Sequence, residues 1–324
     1  MLLQKERLPR FESRHTKLLV REFSLRVLIA STSKLAVPTI EALRGAGHEI
    51  LGVLTKEDRP SGRGQNKKSQ LIVEEIDTNI PIFKISDQNV LATALRDTKP
   101  DLVVAISFGM LVKPESLAIP KNGWINLHFS LLPKYRGAAP VQRAILAGES
   151  ESGVTVFALD EGMDTGPIYA SRKISIAGMN TGEALDEMSS IGASVVIDAI
   201  DAISAGISPV AQIGDFSLAR KIESDETRID FGLPAVQIER QIRAFSPKPG
   251  AWCFLRGLRM KILAADAVAN SKKSPGEILA TNPLTVATID GALLIKTIQE
   301  SGKKAMNSGE WVRGARIELS EKFE

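Results

Sequence analysis

Asp101-Leu102-Val103-Val104-Ala105-Ile106 is apolar at every position after the first. A strand with one wet face alternates polar and apolar residues, so an unbroken run of this length reads as a strand buried on both faces. Working outward, similar runs recur at Val27 to Ala30, Ile50 to Leu54 and Ile82 to Ile85. Helical stretches separate them: one ends near Gly45 and Gly47, one lies near Leu71 to Asp77, and one spans roughly Val90 to Arg96. Such alternation predicts an α/β fold, a Rossmann-like open and mostly parallel sheet with right-handed crossovers. Thr181 to Ala205 reads as one long helix, with Met188, Ile191, Val195, Ala199 and Ile203 on one face and Gly206 at its end.

The pattern then changes. Residues 209–230 are more polar and read as a linker. Beyond them come short β-like segments at Trp252 to Leu255, Arg259 to Leu263, Glu277 to Ala280, Thr285 to Ile289 and Leu293 to Ile298. Turn residues separate these, notably Asp290-Gly291, and five such strands predict a small C-terminal β-barrel of the oligonucleotide-binding type. The expected plan is therefore a tail over 1–24, a sheet domain over 25–208, a linker over 209–230 and a barrel domain over 231–324. Met1 to Ser24 is charged and lacks the apolar stretch of a secretory signal, so it reads as a disordered tail or as the product of an upstream start codon.

Composition bounds the function. A chain of 324 residues is long enough for two cores, and 44% hydrophobic with 24% charged residues is a globular balance. No apolar run approaches the length of a spanning helix, so no membrane partner is expected. The single cysteine, Cys253, excludes an internal disulfide framework and a cysteine-based metal cluster, and suits a reducing cytoplasm. Phe231 to Glu324 carries 14 Lys or Arg against 9 Asp or Glu, leaving 27 against 29 for the remainder. A basic C-terminal module beside a slightly acidic one suggests a polyanionic partner, a solvated basic face being the alternative. No self-association stripe stands out, so a monomer is expected.

Three stretches carry candidate chemistry. In Gly123-Trp124-Ile125-Asn126-Leu127-His128-Phe129-Ser130, strand alternation puts Asn126 and His128 on one face and Ile125, Leu127 and Phe129 on the other. Polar side chains near the C-terminal end of such a strand sit where open α/β sheets bind ligands, although two satisfied core polar groups would show the same spacing. His15 lies in the tail and His48 follows a helix-ending Gly-Ala-Gly, so a working histidine would be His128. The second stretch, Ser130-Leu131-Leu132-Pro133-Lys134-Tyr135-Arg136-Gly137-Ala138-Ala139-Pro140, is a loop entering a helix. The third is the turn-rich Leu159-Asp160-Glu161-Gly162-Met163-Asp164-Thr165-Gly166-Pro167, where Asp164 is either a turn-capping aspartate or a charge that orients a histidine.

Taken in order, Asn-x-His, Ser-Leu-Leu-Pro-x-x-Arg-Gly-Ala-x-Pro and Asp-x-Gly-x-Asp-Thr-Gly resemble the folate-dependent formyltransferases, from about Arg26 to the C-terminus. Glu57-Asp58-Arg59-Pro60-Ser61-Gly62-Arg63-Gly64, followed by Lys67 and Lys68, resembles the basic loop of the branch that acts on methionyl-tRNA; otherwise it would read as a solvated surface loop. Ile242 to Pro247, Pro249 to Trp252 and Gly302-Lys303-Lys304-Ala305-Met306 resemble that branch's C-terminal domain. Two departures stand out. Ser31-Thr32-Ser33-Lys34 replaces the usual Gly-Thr-Pro, and Phe129 stands where a glycine is often found.

The resemblance implies transfer of a formyl group from 10-formyltetrahydrofolate to the amino group of methionyl-initiator tRNA, for translation initiation, with no metal required. Asn126 and His128 would stabilise the oxyanion, a task worth about 2.7–4 kcal/mol per donor. Asp164 would orient His128 and help relay the amine proton, and Ser130, Leu131, Leu132 and Pro133 would line the folate site. Arg59, Arg63, Lys67 and Lys68 would contact the tRNA acceptor end, and Lys303 and Lys304 would help the barrel hold its phosphates. The alternative within the family is a sister enzyme acting on a nucleotide or sugar-nucleotide amine. A nicotinamide dehydrogenase is disfavoured by the missing Gly-x-Gly-x-x-Gly after the first strand. A tRNA-binding protein without activity would have no need of Asn126, His128 and Asp164.

Overall fold

The computed structural model describes residues 24–60, 67–68, 70–269, 273–319 and 321–324, with the backbone alone at 59–60 and 67–68. Seven strands form the first sheet: β1 (Arg26–Ser31), β2 (Glu49–Lys56), β3 (Ile82–Ile85), β4 (Leu102–Ile106), β5 (Trp124–His128), β6 (Glu151–Ala158) and β7 (Ile168–Ser175). Their order is β7-β6-β5-β4-β1-β2-β3; β1 to β5 run parallel, and β6 and β7 are added antiparallel at one edge. The apolar runs behave as double-faced strands. In β4, Leu102, Val104 and Ile106 enter one core while Val103 and Ala105 enter the other, and in β1 Val27 and Ile29 oppose Leu28 and Ala30 in the same way.

Helices cover both faces. One core packs on α1 (Val37–Gly45), α5 (Pro140–Ala147) and α6 (Thr181–Ser204); the other packs on α3 (Gln88–Thr98) and the short α4 (Pro114–Leu117). A further short helix, α2 (Leu71–Glu75), precedes β3. The long α6 begins with Asn180 and Glu183 in a reciprocal capping box and ends before Gly206, whose φ is +68°. Its Gly192 lies against β5: a Cβ there would come within 2.7 Å of Leu127 Cδ2, between the two candidate polar residues of that strand.

The C-terminal domain opens with α7 (Ala235–Phe245) and continues with β8 (Ala251–Leu255), β9 (Leu258–Ala269), β10 (Ile278–Thr281), β11 (Leu284–Ala287) and β12 (Gly291–Glu300), then α8 (Ser308–Ala315). The strands pair antiparallel in the order β8-β9-β12-β11-β10, and Met306–Asn307 adds to β12. Residues 321–324 bridge the two sheet edges. Phe254 of β8 exchanges backbone bonds with Glu324, while Ile278 N donates to Glu321 O and Phe323 N to Gly276 O. The sheet is thereby closed into a small barrel, which removes its open edges. This closing segment has no strand-like alternation of its own, which is why the five-strand reading of the sequence did not include it.

Residues 209–230 lie across the first domain as a strap. Val210 exchanges backbone bonds with Ile168, Leu218–Ala219 pair in parallel with Arg136–Gly137, and Glu226 receives both terminal nitrogens of Arg143 at 2.5 and 2.9 Å. A continuous apolar cluster runs from the sheet through α5, α6 and α7 into the barrel.

Candidate active site

The site forms at the C-terminal ends of β4 and β5. Strand order reverses between β1, which continues to β2, and its other neighbour β4; such a switch point leaves a crevice for ligands. The unusual Ser31-Thr32-Ser33 turn is held by its own hydroxyls. Ser31 Oγ accepts from Ser33 N, Ser33 Oγ accepts from Leu35 N, and Thr32 Oγ1 donates to Ser107 O at 2.9 Å across the crevice. Phe129, in the place of the expected glycine, is 5% exposed and belongs to the α6-side core with Ile125 and Leu127.

A cavity of about 500 Å³ opens beside these strand ends. Phe108, Leu111, Val112 and Leu117 supply apolar wall, and Asn126, His128 and Asp164 supply polar groups. An apolar cavity with a few convergent polar groups has the character of a small-molecule binding site. The Asn-x-His alternation puts both side chains on the cavity face of β5 while Ile125 and Leu127 go to the core.

His128 is 5% exposed, and its Nε2–H donates to the Tyr135 carbonyl at 2.9 Å. That bond leaves Nδ1 as the nitrogen facing Asp164, whose Oδ2 lies 3.7 Å away. The separation exceeds a direct hydrogen bond, so a small donor fits between the two acceptors. Burial pushes the His128 pKa below the ordinary histidine value, more than the Asp164 charge and the bond to Tyr135 raise it. The ring is therefore neutral near pH 7, with a proton-accepting Nδ1. Asp164 is fixed by Gly137 N, which donates to Oδ2 at 2.7 Å. Within the same loop, Asp160 is the turn-capping aspartate: its Oδ1 accepts from Gly162 N and Thr165 Oγ1.

The backbone is bent to make this arrangement. Six non-glycine described residues have left-handed φ; Lys99 and Arg316 end helices and Arg256 turns the β8–β9 hairpin. Of the other three, Ser107 at +51° and Asp164 at +55° line the cavity, and Tyr135 at +60° turns its carbonyl onto His128. Each such conformation costs roughly 1–2 kcal/mol for an L-residue. Their clustering is typical of backbone held in place for function. Gly137, at +122°, is required for another reason: a Cβ would lie 2.7 Å from Ala219 O of the strap.

Asn126, His128 and Asp164 are thus brought together; the other expected site residues fall elsewhere. Ser130, Leu131, Leu132 and Pro133 are not among the residues lining the cavity. Ser130 Oγ donates to Lys134 O, Thr155 Oγ1 donates to Ser130 O, and Leu132 N donates to Thr155 Oγ1, so the segment is pinned onto β6. The wall is built instead from residues 107–112, which sequence reasoning passed over although their place after the double-faced strand β4 marks them. Arg59–Pro60 and Lys67–Lys68 form a short antiparallel backbone ladder, and Arg63 lies outside the described residues. Lys303 and Lys304 are exposed after β12, with Lys303 Nζ 2.9 Å from Glu300 Oε1.

A sequence profile described as formyl transferase matches residues 24–199, more than half of the chain. The chain belongs to the formyltransferase family. A second profile, the formyl transferase C-terminal domain, matches residues 221–316 of this formyltransferase. Among its curated relatives, the methionyl-tRNA formyltransferase of Rhizorhabdus wittichii is 39% identical over 302 residues, which cover 90% of this chain and 96% of the relative. The fold is similar to that of HypX from Aquifex aeolicus in complex with tetrahydrofolic acid, with a TM-score of 0.68 and 20% identity. That match takes in 90% of this formyltransferase but 47% of the HypX chain. The methionyl-tRNA formyltransferase from Clostridium thermocellum superposes with a TM-score of 0.55 at 17% identity, over 82% of this chain and 100% of that one.

Proposed function

We propose that this formyltransferase transfers the formyl group of 10-formyltetrahydrofolate to the free amino group of methionyl-initiator tRNA, giving N-formylmethionyl-tRNA for translation initiation. One observation carries the reading. Relatives named methionyl-tRNA formyltransferase align at 36–39% identity along 90–93% of the chain, through both the sheet domain and the barrel domain. We read the enzyme as a cytoplasmic monomer. No described helix is long and apolar enough to cross a membrane.

The folate supplies an activated formyl carbon; the protein's own groups handle position and protons. The methionyl α-amine, with a pKa near 7.7–8.0, is partly neutral at physiological pH and needs only to lose a proton as it attacks. The resemblance implies that His128 shares the oxyanion with Asn126, but its Nε2–H is taken by the Tyr135 carbonyl. In our reading, therefore, the amine sits against His128 Nδ1 and Asp164, and His128 takes the proton at Nδ1. The resulting imidazolium faces the Asp164 carboxylate, which steadies it, while its Nε2–H stays on Tyr135. The Asn126 amide donates to the formyl oxygen as negative charge builds there. As the intermediate collapses, the bond from the formyl carbon to the folate N10 breaks, His128 returns its proton to N10, and tetrahydrofolate leaves with the histidine neutral again. Apolar residues of the 107–112 loop hold the donor and keep water away, with Ser130 to Pro133 pinned to β6 through Thr155. Arg59, Arg63, Lys67 and Lys68 contact the acceptor end, with Lys303 and Lys304 on the barrel adding sequence-independent phosphate attraction.

The test is formyl transfer from 10-formyltetrahydrofolate to methionyl-initiator tRNA, run beside methionyl-elongator tRNA and an amino-sugar nucleotide. Preferential formylation of the initiator is expected. Transfer to the sugar nucleotide alone would refute the assignment.

A further inference from the structure

Val210, Ile213 and Phe216 of the strap are 64, 83 and 63% exposed, yet the polar Gln212 between them is turned inward and half-buried. This inverts the usual preference of apolar and polar side chains, and the amide's bonds account for it. Gln212 Nε2 donates to the carbonyls of Asp164 at 2.8 Å and Gly166 at 2.9 Å. Its Oε1 accepts from Arg136 Nη2 at 2.6 Å and Nε at 3.1 Å. Both donors and the acceptor of one side chain are thus used to tie two loops together.

Those two loops carry the hydrogen-bond partners of the His128 and Asp164 side chains among the described residues. On either side of Arg136, the Tyr135 carbonyl holds His128 Nε2 and the Gly137 N–H holds Asp164 Oδ2. The strap adds two more ties: Ser217 Oγ accepts from Tyr135 N and Ser217 O accepts from Arg136 N, each at 2.8 Å. Arg136 is also stacked on Phe216, 5.3 Å from the ring centroid. A closed circuit results, from Asp164 through Gln212 to Arg136, through Tyr135 to His128, and across 3.7 Å back to Asp164.

We propose that Gln212 is a positioning residue for formyl transfer, setting the gap between His128 and Asp164 from a segment outside the sheet domain. The proposal rests on the reading of those two residues as the proton-handling pair. Gln212 touches no reacting atom in this scheme; it acts by fixing the Asp164 backbone, itself in a left-handed conformation, against the Arg136 loop. Small displacements of such groups have large kinetic effects, on the order of 10²-fold for about 1 Å.

The experiment compares wild type, Gln212→Ala and Gln212→Glu as full-length enzymes, then repeats Gln212→Ala in an Asp164→Asn background by single-turnover transfer. Gln212→Ala is expected to lower kcat about tenfold or more, with the KM for folate and for tRNA moving less than about threefold. Gln212→Glu keeps an acceptor for Arg136 but loses both donors to the Asp164 and Gly166 carbonyls, so it should lose at least as much. Because Gln212 acts through Asp164, the Gln212→Ala loss should shrink to less than about twofold once Asp164 is Asn. Equal proportional losses in both backgrounds, or a Gln212→Ala kcat within twofold of wild type, would overturn the proposal. Absence of formyl transfer by the wild-type protein would instead remove the reading on which it rests, and the proposal with it.

Discussion

The loops at the ends of β5 and β6 and the basic segments around Lys67 and Lys303 are built on opposite principles. The first pair is cross-tied through Gly137, Gln212 and Ser217 and contains two left-handed non-glycine residues. The second pair is held by short local structure, a two-residue backbone ladder at Lys67–Lys68 and an i,i+3 ion pair at Lys303. Proton transfer requires atoms held within fractions of an ångström, whereas attraction of a polyanion requires charge within a Debye length. On the roles proposed above, geometry matters most at the proton-handling pair, and phosphate attraction depends on it far less.

If this contrast is right, substitutions in the two regions should differ in kind as well as in size. His128→Ala should lower kcat by about 10²–10⁴-fold and leave folate binding largely intact, as read by kinetics beside folate titration. A proportional loss of both would collapse the distinction between geometry and binding. Gly192→Val drives a side chain into Leu127 beneath the Asn-x-His strand and should destabilise the fold by about 1–3 kcal/mol, measured by denaturant unfolding. An unchanged midpoint would show that β5 has room to shift.

A third measurement separates burial from mere placement. Unfolded His128 binds its proton near the ordinary value of about 6.5, while the buried native ring resists it to lower pH. Its contribution to stability is thus present above about pH 6.5 and is lost as pH falls through the depressed native value. Wild type should lose stability over this range more steeply than His128→Gln; parallel curves would contradict it. The smallest effect belongs to the basic surface. Lys303→Ala with Lys304→Ala should raise the KM for tRNA severalfold at unchanged kcat. The logarithmic salt dependence of binding should flatten as well, its slope falling by about 0.9 for each phosphate no longer neutralised. Arg63→Ala should likewise act on KM, and a fall in kcat would place that residue with the rigid loops.

The same contrast explains what could be read from the sequence. The sheet, the long α6 and the Asn126–His128 face were legible because strand and helix periodicities are local, and the double-faced β4 could be recognised by its unbroken apolar run. The barrel strands were legible in outline, but its closure by residues 321–324 depends on two distant edges meeting. Within the site, the partner of His128 is a backbone carbonyl, and every residue has one, so Tyr135 could not be singled out. Gln212 lay in a stretch read as linker because its polar composition matched one. The motif Ser130 to Pro133 was visible as a motif, but its bonds to Thr155 turn it toward β6 rather than into the cavity.

The strap also limits how freely the two halves could be recombined. A chimera that joined this sheet domain to another barrel at residue 208 would keep Asn126, His128 and Asp164 but lose the side chains of Gln212 and Ser217 that brace their loops. For grafting, the boundary therefore falls after Glu226, which still pairs with Arg143 of the sheet domain, and the connecting peptide travels with the sheet half.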